Sequence, residues 1–301
     1  MYIKIKQKLL PWFFIFPTFF FLGMFTYYPA LKSLYLSFNS MNVVNPIPVF
    51  TGLDNYISIF ETPLFWQVLK NNLFYAGITM PLTLSLALIL ALLLNRKMFG
   101  DAIYKATFYY SNIIPMAAAS MVWLYIFLPG YGILNYLFSK LGIPNIEWVT
   151  SHKSAIWALI IVAIWKNAGY YMIIFLSGLQ QLPLDVYEAA EIDGASKWKQ
   201  FWSITWPLLS PTTFFVFIIA VINSFQSIDQ IYLMTRGGPS NSTNMFVYYI
   251  YQVAFRFWDF GKASALTVIL LLVLLLFTLF AFTFIERQVF YQVGRESLKK
   301  L

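Results

Sequence analysis

A group of polar residues follows an apolar stretch in the last third of the chain. The group consists of Asn223, Gln226, Ser227 and Gln230, with Asp229 beside them. The first four recur at intervals of i, i+3, i+4 and i+7, so a helix would carry them on one face. Amide and carboxylate groups bind hydroxyl groups, and aromatic rings pack against the apolar faces of sugars. The spacing predicts a path for a hydroxylated solute, with hydrogen bonding between neighbouring membrane helices as the alternative.

A second polar group interrupts the apolar segment 154–178. Lys166 and Asn167 are followed one turn later by Tyr170. An ionisable residue at membrane depth is by default a functional hypothesis, so these three residues are predicted to join the solute path. Lys166 could instead extend to the membrane surface or form a structural ion pair with Asp229.

The residue types present exclude several kinds of covalent chemistry. The chain contains no cysteine and one histidine, His152, so it has no thiolate nucleophile, disulfide or histidine cluster for zinc. It lacks the Gly-x4-Gly-Lys-Ser/Thr loop that holds ATP phosphates. The acidic cluster of Glu188, Glu191 and Asp193 has no base arranged near it. We therefore predict no catalytic residue, no metal and no cofactor in this chain, which disfavours a membrane-embedded enzyme.

The composition indicates that lipid is part of the solvent around the elements that position these residues. Hydrophobic residues make up 60% of the 301 residues and charged residues 11%, against about 25% charged in a soluble domain. A spanning helix needs about 20 apolar residues. Six segments satisfy this length: 9–31, 72–94, 106–128, 154–178, 207–228 and 263–285. We predict an all-α integral membrane protein with six transmembrane helices.

Lysine and arginine residues set the predicted orientation. The face with the N-terminus, the loop 95–105 and the C-terminal tail carries more of them than the opposite face, so it is predicted to be cytoplasmic. Both termini would then face the cytoplasm. The net charge of +8 reflects this bias and does not indicate a nucleic-acid partner. We divide the chain into an N-terminal region 1–69, a transport domain 70–286 and a cytoplasmic tail 287–301.

The segment 183–206 is charged where its surroundings are apolar. Pro183 can start a helix, and Gly194 can adopt the left-handed conformation that ends one. A second short helix with an aromatic side is expected from about Ala195, until Pro207 begins the fifth span. The pattern predicts a helix–turn–helix element at the cytoplasmic surface, with an ordinary amphipathic connector as the alternative.

Residues 187–211, YEAAEIDGASKWKQFWSITWPLLSP, resemble the EAA loop of inner-membrane permeases in binding-protein-dependent ABC importers. Three further phrases are similar to sugar permeases of the maltose and glycerol-phosphate type. They are IWKNAGYYMIIFLSGLQQLP at 164–183, SFQSIDQIYLMTRGGPSNST at 224–243 and YIYQVAFRFWDFGKASAL at 249–266. The resemblance covers about 70–286, with the first span as an extra N-terminal helix, and implies the type I importer permease architecture.

The resemblance also assigns roles to residues of the charged segment. It implies a coupling helix that docks into a groove on a cytoplasmic ATPase. Glu188 and Asp193 would pair with basic residues of that ATPase, and Ala189 and Ala190 would let the helix approach closely. Gly194 would supply the turn that returns the chain to the membrane.

The resemblance implies a set of partners in the cell membrane. These are a second, homologous permease, two copies of an ATPase that holds ATP and magnesium, an external solute-binding protein, and lipid. The implied function is import of a carbohydrate, an oligosaccharide or glycoside, by ATP-driven alternating access. The alternatives are a self-sufficient secondary transporter or channel, and an importer permease for a non-sugar solute such as glycerol phosphate.

Overall fold

A computed structural model describes residues 14–96 and 99–290 of the chain. The first residues of the predicted span 9–31, the N-terminal lysines, Lys97 and the end of the tail lie outside these ranges. The described residues form two compact units. One contains the residues up to Phe65 together with Tyr249–Val273, and the other contains Trp66–Tyr248 together with the residues from Leu274.

Helices dominate both units. Their bounds are α1 Phe14–Ser37, then α2 Asp54–Glu61, α3 Pro63–Leu94, α4 Asp101–Ile113, α5 Met116–Ile126, α6 Ile133–Lys140, α7 Ala155–Gln180, α8 Leu184–Ile192, α9 Lys197–Gln200, α10 Trp206–Gln226, α11 Phe246–Phe255 and α12 Phe260–Phe280. Two short strands, β1 Asn39–Ser40 and β2 Val49–Phe50, pair antiparallel between α1 and α2.

The first unit is built around the turn that follows α1. Asn55 on α2 donates side-chain hydrogen bonds to the carbonyl oxygens of Ser37 and Asn39, at 2.9 and 3.0 Å. The backbone N–H groups of Phe260 and Gly261 donate to the carbonyl oxygen of Met41. The bond to Ser37 satisfies a carbonyl that the end of α1 leaves without a helical partner, and the other bonds hold the turn that follows.

In the second unit, α3, α7 and α10 pack around a shared apolar core. Ala87 and Ala91 on α3 are fully buried, as are Met172 on α7 and Leu209 on α10. Helix α7 also approaches α10 closely at Gly178, where an added Cβ would lie 2.5 Å from Thr212 Oγ1. Small residues at these points allow the close approach that helices in membranes use for packing.

Within residues 14–96 and 99–290, five helical segments are long and apolar enough to cross a membrane. They are Phe14–Ser37, Pro63–Leu94, Ala155–Gln180, Lys197–Thr235 and Phe260–Ile285. The predicted span 106–128 differs, because it consists of α4 and α5 with a break between Ile113 and Met116. Pro115 has no N–H and forces Ile114 into an extended conformation, with ψ 127°. A count of six spans therefore stays a prediction.

Two predicted boundaries also differ from the structure. The boundary at 69/70 falls inside α3, which begins at Pro63. The fifth span was predicted to begin at Pro207, but the helix begins at Lys197 and continues through a π-turn at Phe201–Thr205 into α10. The π-turn lengthens the helical repeat just before Pro207. Pro207 has no N–H for a regular helical hydrogen bond, and π-bulges occur at such irregular points in helices.

Candidate functional site

The second unit contains a cavity of about 370 Å³ lined by α3, α5, α7, α10 and the segment after α10. Most of the lining groups can form hydrogen bonds. The amides are Asn167, Asn223, Gln226 and Gln230, and the hydroxyl groups belong to Tyr75, Thr79, Thr83, Tyr171, Ser224 and Ser227. Lys166, Met80, Met116, Ala163 and Ala220 complete the lining. Such a lining suits a solute that carries many hydroxyl groups.

Most of the residues that the sequence suggested for the solute path meet at this cavity. Asn223, Gln226, Ser227, Gln230, Lys166 and Asn167 all line it. Tyr170 does not, because it lies over the α4 side of α7, in a separate groove with Ala106 and Tyr109. Its neighbour Tyr171 lines the cavity instead, one helical turn after Asn167. Asp229 is exposed and is not among the lining residues.

The polar residues of the fifth span do not lie on one regular helix. Helix α10 ends at Gln226, and Ser227 is extended, with φ −69° and ψ 119°. The chain is helical again from residue 229. The predicted single helical face is therefore wrong, although its four residues still line one cavity. Non-helical backbone at membrane depth is tolerated where it borders a water-filled cavity or is covered by protein.

Gln230 and Tyr75 connect the segment after α10 with α3. Gln230 is fully buried and donates from Nε2 to the hydroxyl group of Tyr75 at 2.5 Å. Its Oε1 has no hydrogen-bond partner among the described residues. Asn223 on α10 donates to the hydroxyl group of Tyr171 on α7 at 3.2 Å. Tyr75 was missed in the sequence because nothing in its local pattern indicates a partner 155 positions away.

Lys166 is 8% exposed and does not pair with Asp229 in the described structure. Its Nζ donates to the carbonyl oxygens of Ser111 and Asn112, each at 2.9 Å, and to the carbonyl oxygen of Ile114. These carbonyls lie at the end of α4, where the break at Pro115 removes helical donors. A lysine has three N–H donors, and each of them has an acceptor here.

The charged segment forms the short helix α8 and the turn after it. Gly194 adopts φ +72°. Its N–H donates to the carbonyl oxygen of Glu191 at 3.0 Å, and the N–H of Ala195 donates to that of Ala190 at 2.9 Å. These two bonds form a Schellman motif, which ends a helix with a left-handed residue. The predicted helix and its glycine turn are present in the structure.

Most of the predicted coupling residues lie on the surface. Glu188, Ala189, Asp193 and Gly194 are exposed, and Ala190 is half-buried. Glu188 and Asp193 form no ion pair with a described residue, whereas Glu191 pairs with Lys197. Three large apolar side chains next to them are also exposed: Leu184 at 74%, Ile192 at 86% and Trp198 at 73%. An apolar patch that carries unpaired acidic groups is typical of a protein-binding surface.

Comparison with known proteins gives a consistent set of relatives. Residues 83–291 match the family described as "Binding-protein-dependent transport system inner membrane component". A probable ABC transporter permease protein of Pyrococcus horikoshii is 33% identical over 88% of this chain and 92% of its own length. A sulfoquinovosyl glycerol transport system permease protein of Agrobacterium fabrum is 33% identical, over 89% and 88%. An sn-glycerol-3-phosphate transport system permease protein of Brucella abortus is 30% identical, over 96% and 99%.

The fold also matches a solved structure. A chain from the crystal structure of a bacterial ABC transporter involved in the import of the acidic polysaccharide alginate superimposes with a TM-score of 0.83. The match covers 95% of this chain and 98% of that chain, at 22% sequence identity. At this identity the likeness concerns the fold. The predicted class of fold, an all-α membrane protein built like an importer permease, is confirmed.

Proposed function

The chain belongs to the family of binding-protein-dependent transport system inner membrane components, and we propose that it forms half of a permease for a neutral carbohydrate. It is an ABC importer permease of the cell membrane, which leaves a self-sufficient transporter or channel without support. The observation that carries the proposed solute is the cavity beside α10, whose lining is rich in amides and hydroxyl groups. These groups bind the hydroxyls of an oligosaccharide or glycoside.

The charges around the cavity favour a neutral solute over a phosphate ester. No Asp or Glu lines the cavity, and Lys166 is the one cation among its described lining residues. The ammonium group of Lys166 already donates to three carbonyl oxygens. Phosphate recognition uses available Arg or Lys donors. The described lining residues offer no such free donor, so a sugar is the better fit.

Glycerol phosphate is the second candidate. The observation in its favour is the identity of 30% over 96% of this chain with a relative named as an sn-glycerol-3-phosphate permease. A phosphate-bearing solute would need its cations from another subunit. The two candidates therefore differ in where the charge for the solute comes from, and a direct comparison of solutes separates them.

Three kinds of protein partner are proposed for the permease. On the cytoplasmic side, the exposed acidic and apolar groups of α8 would dock on an ATPase, present in two copies, which binds ATP and magnesium. A second, homologous permease would complete the pathway, and an external solute-binding protein would deliver the sugar. A solved relative of the fold was crystallised "in complex with alginate pentasaccharide-bound periplasmic protein", which supports a delivery protein of this kind.

The test is solute-stimulated ATP hydrolysis by the importer purified from its native membrane and reconstituted in liposomes. A panel of neutral oligosaccharides, glycosides and glycerol 3-phosphate is supplied with the binding protein. Asn223→Ala and Gln226→Ala are expected to raise the half-saturating sugar concentration about tenfold each, because each removes hydrogen bonds to a bound solute. Phe215→Leu is the matched control, since Phe215 lies on the same helix, is exposed and does not line the cavity.

Stimulation by a neutral sugar that the two amide substitutions weaken, and that the control leaves unchanged, supports the proposal. Stimulation by glycerol 3-phosphate alone would establish the second candidate. Solute uptake by this chain without any ATPase would contradict both.

A further inference from the structure

The break between α4 and α5 leaves backbone carbonyls without their usual donors. In a continuous helix the carbonyl oxygen of Ser111 would accept from the N–H of residue 115, and that of Asn112 from residue 116. Pro115 has no N–H, and Ile114 is extended. A backbone group that lipid or protein covers costs several kcal/mol when it is unsatisfied, because water cannot reach it to replace the missing donor. Some other group must therefore satisfy these carbonyls.

Lys166 satisfies them from the neighbouring helix α7. Its Nζ donates to Ser111 and Asn112, each at 2.9 Å, and to Ile114. A return contact strengthens the pairing, because the hydroxyl group of Ser111 donates to the carbonyl oxygen of Lys166 at 3.3 Å. Lys166 is thus bonded to α4 through both its side chain and its backbone.

Gly169 allows this contact to form. An added Cβ at Gly169 would lie 2.0 Å from the carbonyl oxygen of Phe108 and 3.1 Å from the Cα of Tyr109. Helices α4 and α7 therefore touch backbone to backbone one turn away from Lys166. This close approach brings the end of α4 within reach of the lysine side chain.

The capped break borders the cavity, and the lysine that caps it lies on α7, the helix that leads to the charged segment. Lys166 lines the cavity, and so does Met116, the first residue of α5. Helix α7 ends at Gln180 and is followed after three residues by α8. One helix thus carries the cap at one point and passes directly into the coupling helix at its end.

We propose that Lys166 is a positioning residue, whose ammonium group replaces the backbone donors that Pro115 removes. The cap fixes the broken α4–α5 helix to α7 at the depth of the cavity. It keeps Met116 at the cavity wall and makes α4 follow α7 when the coupling helix moves. Lys166 does not bind the solute. The transport part of this inference rests on the proposed function, whereas the capping part does not.

A double-mutant cycle between Lys166 and Pro115 tests the cap. The thermal midpoint of the assembled importer is measured for Lys166→Met, Pro115→Ala, and the two together. Lys166→Met is expected to lower the midpoint by roughly 10 °C, because one buried and two partly buried carbonyls lose their donor. Pro115→Ala restores a backbone N–H, so the double variant is expected to melt several degrees above Lys166→Met. Lys153→Met, at an exposed lysine, is the control for loss of one charge and should melt like wild type.

The sign of the interaction decides the outcome. The cap predicts that Lys166→Met lowers the midpoint much less in the Pro115→Ala background than in wild type. Independent sites would add, so the two decreases would then be equal. That result, or an unchanged midpoint in Lys166→Met, would overturn the capping role. Failure of Lys166→Met to assemble, with recovery in the double variant, would support it.

Transport and a neutral substitution separate positioning from solute binding. Lys166→Gln keeps two N–H donors without the charge, so it is expected to melt above Lys166→Met and to retain more of the wild-type uptake. The double variant is expected to recover much of the thermal midpoint lost in Lys166→Met but less of the wild-type solute uptake. The reason is that a straightened α4–α5 helix would move Met116. If Lys166→Gln and Lys166→Met melted like wild type but shifted the half-saturating solute concentration equally, Lys166 would be a solute ligand. If wild type transported none of the solutes tested, the midpoints would still decide the cap.

Discussion

Two parts of the protein are stabilised by hydrogen bonds that span very different distances in the chain. One is the segment proposed to dock on the ATPase, residues 184–195, which we call the coupling segment, and the other is the cavity beside α10. In the coupling segment the decisive bonds join residues three and five positions apart, Gly194 to Glu191 and Ala195 to Ala190. At the cavity they join residues 155 positions apart, Gln230 to Tyr75, or 55, Lys166 to Ser111. The difference teaches that a local motif can be recognised in a sequence by its spacing, while a polar cavity depends on partners that spacing does not reveal.

The largest expected effect separates function from fold. Glu188→Lys is expected to reduce solute uptake at least about a hundredfold, because it reverses an exposed charge that has no ion-pair partner among the described residues and is proposed to meet the ATPase. The thermal midpoint of the permease should change by less than about 2 °C, as for most exposed substitutions. Uptake and ATPase retention after purification are the measurements. Glu147→Lys, an exposed loop residue, is the control and should retain both. If Glu188→Lys failed to fold, the exposed segment would be needed for the fold as well as for transport. That result would contradict the distinction between the coupling segment and the cavity.

The next effect falls on the helix contact behind the cavity. Gly169→Val should lower the free energy of unfolding by roughly 3 kcal/mol or more, because its side chain would overlap the backbone of α4. Gly77→Val is the matched control on α3, where an added Cβ meets nothing within 4 Å. Thermal denaturation of both variants in detergent gives the comparison. Equal midpoints would show that α4 and α7 do not pack as closely as described.

A smaller effect is expected at the long-range hydrogen bond. Gln230→Ala should lower the free energy of unfolding by about 2 kcal/mol, since it leaves the buried hydroxyl group of Tyr75 without its amide donor. Tyr75→Phe provides the partner for a double-mutant cycle. The loss in the double variant should be less than the sum of the two single losses. Strict additivity would contradict the bond.

The smallest effect is expected in the coupling segment itself. Gly194→Ala should destabilise the turn by about 1 kcal/mol, because alanine is strained at φ +72° although an added Cβ meets nothing within 4 Å. Hydrogen exchange should show faster exchange of the Ala195 amide and no change in α7. Ser203→Ala, an exposed residue in the following π-turn, serves as the control. A change that spread into α7 would show that the segment is less independent than its local bonds indicate.

The sequence allowed much of this structure to be predicted, and the misses have physical causes. The family could be predicted because the EAA phrase is a short, local motif. The helix and its glycine turn at 188–194 could be predicted because their hydrogen bonds join residues that are close together in the chain. All four cavity amides were found because polar side chains are rare inside apolar spans. The cap on the break at Pro115 was missed because its donor, Lys166, lies on another helix. The continuity of the helix from Lys197 into the fifth span was missed because a π-turn, which the sequence pattern does not reveal, carries the helix into Pro207.

The most direct test of the account is cross-linking from the coupling helix. The chain contains no cysteine, so Ala189→Cys provides a single reactive position in this chain. The account predicts that a short thiol-to-amine cross-linker joins this position to the ATPase, and that ATPase removal exposes it to maleimide. Tyr131→Cys, at an 88% exposed residue that the predicted topology places outside, should react with maleimide equally in both states. Equal maleimide reactivity of Ala189→Cys with and without the ATPase, and no cross-linked product, would contradict the central claim.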